Sequence, residues 1–340
     1  MTSHMARETL EAPEVVAQLI RRNAAGLAEL RRLYAARQPS HIVTVARGSS
    51  DHAAGYFKYL VEILLGIPCA SVGASIVSIY DGPLALRDCM VVAISQSGSA
   101  PDLLAYAAEV KRAGVPLVVI SNHQDSDLAR AADICLILSA GPELSVAATK
   151  TFIASVALVA RIAAEWAGLP ALIAATERLP STLEAASALR WDMFEEAMIT
   201  AKSLFVLGRG PSLPIANEIA LKLKETSQLH AEAFSAAEVV HGPMEVVDAG
   251  FPVLLLSPSD AASVTNRVTA GKLLAAGAKL YCVSKDSKLP SHLDFQPAAH
   301  VLLDPISIIQ TFYGAAERIS RARGRDPDRP RLLSKVTKTL

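Results

Sequence analysis

The sequence predicts an α/β protein made of two tandem units, each a parallel sheet flanked by helices. Three observations lead there. Apolar runs of strand length alternate with helix-length stretches, the pattern of a parallel sheet covered on both faces. The runs end in short loops rich in Gly and Ser that feed the next helix. The arrangement also recurs: Gly48 and Gly210 stand 162 residues apart, as do Ser95 and Ser257 (210 − 48 = 257 − 95 = 162), the mark of a tandem repeat. A chain of 340 residues suits two such halves.

In chain order, residues 12–37 read as one Arg-rich amphipathic helix. His41–Ala46 is a buried-strand run that ends in Arg47-Gly48-Ser49-Ser50-Asp51, and Ala53–Leu65 is helical. A second strand, Cys89–Ile94, ends in Ser95-Gln96-Ser97-Gly98-Ser99 and precedes a helix over Pro101–Ala113. Strands at Val115–Ile120 and Ile134–Leu138 follow. A helical stretch from Thr149 to Thr200, broken at Pro170 and Pro180, joins the halves. The second half opens with Ser203–Leu207, which ends in Gly208-Arg209-Gly210-Pro211-Ser212, then a helix carrying Lys222 and Glu225. Phe251–Leu256 ends in Ser257-Pro258-Ser259, and Ala278–Val283 follows another helix. The expected boundaries are an N-terminal helix (1–38), a first subdomain (39–168), a helical linker (169–200), a second subdomain (201–320) and a polar tail (321–340).

Composition excludes several classes. Lys plus Arg and Asp plus Glu number 33 each, so no basic field draws nucleic acid or an anionic membrane, and any phosphate must be held locally. The N-terminus lacks an apolar signal core, and the most apolar helical run, 152–164, is too short for a membrane span and contains Arg161. Cys69, Cys89, Cys135 and Cys282 form no CxxC pair, which points away from zinc and disulfides and towards a reducing cytoplasm.

Two stretches carry chemistry. In open α/β sheets ligands bind beyond the carboxyl ends of the strands. There Ser95, Gln96, Ser97 and Ser99 offer hydroxyls, an amide and successive backbone N–H groups at a helix N-terminus, a setting for phosphate, with Ser49 and Ser50 at the neighbouring strand end. Ser and Gly also cap helices, yet three serines and a Gln exceed one cap's need. In the second half Ser257-Pro258-Ser259-Asp260 has lost these donors. Neither GxGxxG, a P-loop nor a GxSxG elbow is present. The other stretch is Leu221–Pro243. Lys222 and Glu225, three apart, share a helix face that Leu221, Leu223 and Leu229 could anchor, and His241 is presented at the Gly242-Pro243 turn. Lys, Glu and His together can move protons on a small carbon acid, although Lys222–Glu225 also fits a solvated helix face. His230 reads as a structural histidine buried under that helix, with Glu232 as its partner or a solvated acid. Glu143 and Lys150 read equally as substrate contacts or helix-end charges.

Read together, Arg47-Gly48-Ser49-Ser50, Ser95-Gln96-Ser97-Gly98, Val146-Ala147-Ala148-Thr149-Lys150, Leu221–Glu225, His230-Ala231-Glu232, His241-Gly242-Pro243 and Pro330–Lys335 resemble the sugar-isomerase (SIS) family. The likeness is to the isomerase half of glucosamine-6-phosphate synthase and its stand-alone relatives, and it runs from Ser40 to the C-terminus. It implies two tandem SIS subdomains, each a flavodoxin-like three-layer sandwich. It implies a fructose 6-phosphate or glucosamine 6-phosphate site, with phosphate on Ser50, Ser95, Gln96 and Ser97 and further substrate contacts at Gly48, Ser49, Ser99, Val146 and Ser334. Glu225 would carry a proton between C1 and C2, Lys222 would assist, and His241 would open the sugar ring while reaching into the other subunit of a homodimer. Lys335 would supply a Schiff-base amine from a tail that acts as a lid. No metal or redox cofactor is implied.

This chain departs from the family pattern at three points. Ser99-Ala100 stands where Glu-Thr is common, Ala148 replaces a Ser, and Arg47 replaces a Cys. The synthase also carries an N-terminal glutaminase domain with a terminal cysteine, whereas this chain begins with a short helix and has no Cys before Cys69. The expected reaction is therefore deamination of glucosamine 6-phosphate, as in stand-alone SIS-type deaminases. The alternatives are the synthase-like aminotransferase, a fructosamine deglycase or another amino-sugar phosphate isomerase, and a sugar-phosphate-binding regulatory module.

Overall fold

The structure is a computed structural model and describes residues 2–335. Helices α1 (His4–Arg22) and α2 (Ala24–Arg37) precede β1 (His41–Ala46), α3 (Ser49–Leu65), β2 (Cys69–Ser71), α4 (Ser75–Ser78), β3 (Cys89–Ser95), α5 (Pro101–Ala113), β4 (Leu117–Ser121), α6 (Asp127–Ala131), β5 (Ile134–Ile137), α7 (Lys150–Trp166) and α8 (Pro170–Glu177). Then come α9 (Leu179–Ser187), α10 (Asp192–Thr200), β6 (Ser203–Gly208), α11 (Ser212–Ser227), β7 (His230–Ser235), β8 (Pro252–Leu256), α12 (Ser263–Ala275), β9 (Lys279–Val283), β10 (His292–Leu293) and α13 (Asp304–Ala322). The described residues divide into two compact units, one of residues 12–143, 150–177 and 334–335, the other of residues 2–11, 144–149 and 178–333.

The first unit holds an all-parallel sheet in the order β2-β1-β3-β4-β5. Every residue of β3 is buried, as expected of a central strand with helices on both faces. Alternate residues Val43, Val91 and Val119 pack with Leu103, Tyr106 and Val110 of α5. The opposite face carries α3, with α7 beyond it. In α7 every residue but Glu165 is buried, so a helix hydrophobic all round serves here as a core element.

The second unit repeats the strand order: β7-β6-β8-β9-β10, again all parallel. Phe205, Leu207, Val253 and Leu255 form a core with Ala270 and Leu273 of α12. The other face takes α11, which is backed by α13. Both units are three-layer α/β sandwiches with the flavodoxin-like order.

The structure corrects several expectations. The single helix over 12–37 is two helices that meet at Asn23, where the backbone leaves helical geometry at φ −96 and ψ 7. The Asn23 side chain anchors this junction: Nδ2 donates to Leu19 O and Ile137 O, and Oδ1 accepts from Ile137 N. The edge strands β2 and β7 were not anticipated, since Cys69-Ala70-Ser71 and His230–Ser235 lack an apolar run and owe their strand form to backbone pairing with β1 and β6. Leu229 does not belong to the Lys222 helix, which ends at Ser227 with Gln228 left-handed at φ 49. His230 is consequently exposed on the edge strand rather than buried under that helix, and Glu232 is exposed as well.

Candidate active site

In the first unit the strand order reverses between β1 and β3, which is where open α/β sheets form their ligand crevice. Ala46 and Ile94 are partners at the ends of these strands, so the loops that follow are neighbours. Gly48, at φ 54, precedes α3, whose first turn contains Ser49 and Ser50. Ser95 closes β3 and is buried, and its Oγ accepts from Gly98 N at 3.1 Å, which curls the loop back on itself. Gln96 and Ser97 are half-buried and Ser99 is exposed, with Ser99 Oγ donating to Ser97 Oγ at 3.2 Å. Gly98 is required here: φ is +61, and a Cβ would lie 2.1 Å from Ser126 Oγ.

Arg47 has a partner that spacing could not disclose. Its Nε donates to Asp102 Oδ2 at 2.6 Å, and Asp102 lies fully buried in the first turn of α5. The residue that departs from the family pattern thus ties the β1 loop to the helix after the Ser95 loop. The corresponding loop of the second unit is arranged differently. Ser257 is buried and its Oγ accepts from Asn266 Nδ2 at 3.2 Å.

The second unit holds the proton-transfer candidates. Lys222 and Glu225 form an ion pair one helical turn apart on α11, Lys222 with its side chain 1% exposed and Glu225 with 20%. Glu218, one turn earlier and wholly buried, lies 3.5 Å from Lys222 Nζ. Tyr313 on α13 donates its hydroxyl to Glu218 Oε1 at 3.1 Å. Glu225 also lines a 330 Å³ pocket with Leu221, Lys224 and the tail residues Arg331, Leu332 and Leu333. A carboxylate on a buried cation and open on one side is suited to accept and return a proton. His241 is exposed at the end of the 3₁₀ turn Glu238–His241.

Lys335 sits in the first unit, where its Nζ meets Glu143 Oε2 at 2.9 Å. Glu143 is buried and also accepts from Thr151 N and Thr151 Oγ1. An ammonium held this way must give up a proton before it can add to a carbonyl. Lys150 is the first residue of α7 and is buried there. Val146 N donates to Asp328 O in the second unit, and Ser334 is exposed. The tail beyond residue 335 lies outside the described residues. Sequence reasoning missed Glu218, Tyr313 and Asp102. Glu218 stands four residues before Lys222, a spacing that marks a shared helix face, whereas Tyr313 and Asp102 gave no local signal.

Thiol chemistry has no support in this geometry. Burial pushes Cys69 and Cys282 up to about 12 and Cys135 up to about 11. Among the described residues no group of three or more His, Cys, Asp or Glu side chains could hold a metal ion.

Two parallel sheets of one strand order, one with a serine-rich loop at its switch point and the other with a buried lysine paired to a partly open glutamate, define a tandem-sheet α/β protein. The SIS domain model matches residues 36–164 and 197–308, and the chain belongs to that family. It is 34% identical to the glutamine–fructose-6-phosphate aminotransferase [isomerizing] of Aeropyrum pernix, over 98% of this chain and 56% of that protein. It is 31% identical to the enzyme of that name from Zymomonas mobilis, over 97% and 58%. The chain thus spans little more than half the length of these curated relatives. Among solved structures, a Silicibacter pomeroyi DSS-3 protein assigned as a phosphosugar isomerase aligns with TM-score 0.91 and 42% identity over 96% of this chain and 100% of that one. The C-terminal domain of glucosamine-fructose-6-phosphate aminotransferase from Francisella tularensis aligns with TM-score 0.84 and 27% identity, over 97% and 99%. A Thermotoga maritima glucosamine-6-phosphate deaminase shares the fold at TM-score 0.81 and 20% identity, over 99% and 100%.

Proposed function

We propose that this chain is an amino-sugar phosphate deaminase/isomerase that converts glucosamine 6-phosphate to fructose 6-phosphate and ammonia. Support comes first from Glu225, a carboxylate bound to a buried lysine and open to a pocket. In this reading the phosphate rests on Ser50, Ser95, Gln96 and Ser97, with Gly48, Ser49, Ser99, Val146 and Ser334 around the sugar. His241 opens the ring. Glu225 takes the proton from C2 and delivers it to C1, while the C1 carbonyl oxygen gains a proton equivalent to the one the C2 amine loses, leaving an imine at C2. Water adds to that imine, the C–N bond breaks, and ammonia departs. Lys222 pairs with Glu225 and orients it. Lys335, once released from Glu143, is the amine available for a Schiff base with the ketose. The working unit is a cytoplasmic homodimer in which His241 serves the partner's site.

The aminotransferase names of the relatives favour a second reading, the same C1–C2 proton transfer run from fructose 6-phosphate with ammonia supplied from elsewhere. Purified protein given glucosamine 6-phosphate without glutamine separates the two. Equal release of ammonium and fructose 6-phosphate, lost in Glu225→Gln by about 10²- to 10⁴-fold, is the expected result. Turnover only from fructose 6-phosphate plus ammonium would favour the second reading. Turnover of a fructosamine phosphate alone would replace the substrate, and tight binding without any turnover would mean a regulatory module.

A further inference from the structure

We infer that Tyr313 is a positioning residue for the proton-transfer carboxylate, acting through Glu218 and Lys222. The inference rests on the reading of Glu225 given above. Tyr313 lies at 0% exposure in the middle of α13, 88 residues along the chain from Glu225 (313 − 225 = 88). Its hydroxyl donates to Glu218 Oε1 at 3.1 Å, Glu218 is 3.5 Å from Lys222 Nζ, and Lys222 is paired with Glu225. One ammonium is therefore shared between two carboxylates, the inner one fully buried and the outer one open to the pocket. A buried carboxylate draws on every donor within reach, because few other dipoles offset its charge. The phenol supplies one of those donors, and the inner carboxylate's demand on Lys222 falls accordingly. Lys222 is left to the outer carboxylate.

Other charged groups around Glu225 do not provide this control. Lys224 on the same helix donates to Ala231 O of β7. His230 and Glu232 of β7 are exposed, and Arg331 lies at the pocket rim. On α13, Glu317 pairs with Arg321 and Arg318 with Glu195.

Two substitutions should move the system in opposite directions. In Tyr313→Phe the inner carboxylate loses a donor and pulls Lys222 inward, so the acidic limb of the kcat/KM–pH profile rises by about half a pH unit or more. In Glu218→Gln the competitor for Lys222 loses its charge, and the limb moves to lower pH. Ser320→Ala is the structural control. It removes a different α13–α11 bond, Ser320 Oγ to Thr226 O at 2.7 Å, and should lower Tm without moving the limb. Carbon-13 NMR titration of glutamate-labelled protein, with the Glu225 signal assigned by Glu225→Gln, reads the same midpoint without substrate. The inference is thereby tested even if glucosamine 6-phosphate is not turned over. Opposite shifts in the two variants and none in the control are expected. An unmoved or lowered midpoint in Tyr313→Phe would overturn the inference.

Discussion

Lys222 shows how far one side chain can depend on its neighbours. At 1% exposure an ammonium needs compensation, which Glu218 and Glu225 on its two sides supply. Lys222→Met leaves two carboxylates facing each other and is expected to cost about 3–5 kcal/mol, measurable by urea unfolding. Glu225→Gln, at a partly open position, should cost far less while abolishing turnover. Asp304 provides a pH-dependent counterpart. It is 4% exposed at the start of α13, accepts from Ala298 N at 2.8 Å, and desolvation raises it from 3.8 to about 6, with a smaller push from Asp260. A carboxyl raised on folding favours the folded state most fully below its unfolded value, and that contribution fades as pH rises through about 6. Asp304→Asn keeps an oxygen for Ala298 N but carries no charge. Its unfolding free energy should exceed that of the native chain above pH about 6, by up to about 3 kcal/mol, with a correspondingly higher Tm, and lose that margin near pH 4.

At the level of the element, the Ser95 loop is set by its glycine as much as by its hydroxyls. Gly98→Ala combines a left-handed backbone with a Cβ driven into Ser126. It is expected to destabilise by about 1–3 kcal/mol and to weaken the proposed phosphate binding more than it alters kcat, read as a rise in KM and a fall in Tm. The Arg47–Asp102 pair predicts a different outcome. Arg47→Ala strands a buried carboxylate, and because Arg47 itself is half exposed the cost should be about 1–3 kcal/mol. Arg47→Ala with Asp102→Asn should recover part of that stability in a double-mutant cycle.

For the whole molecule, the proposed sharing of His241 makes a prediction about assembly. Glu225→Gln and His241→Asn should each be inactive alone. Unfolded together and refolded, they should regain about a quarter of native activity, the fraction of intact sites in a statistical mixture of homodimers and heterodimers. No recovery would place His241 in the site of its own chain or outside the chemistry.

Periodicity and loop composition were enough to make both parallel sheets legible, because a buried parallel strand must be an apolar run and its loop must turn into a helix. The position of the Ser95 loop after its strand and the shared helix face of Lys222 and Glu225 were legible for a related reason, since both are local in sequence. The edge strands β2 and β7 were not, because an edge strand borrows its form from backbone pairing and needs no apolar run. Nor were the break at Asn23, the exposure of His230, the anchoring of Arg47 on Asp102, or the hold of Glu143 on Lys335 and of Tyr313 on Glu218. Each of these depends on which distant backbone or side chain the fold brings alongside. Sequence alone determined the sheets, their loops and the kinds of chemical group present. Only the tertiary structure decided which charges are buried together, because desolvation and pairing act through space and not along the chain.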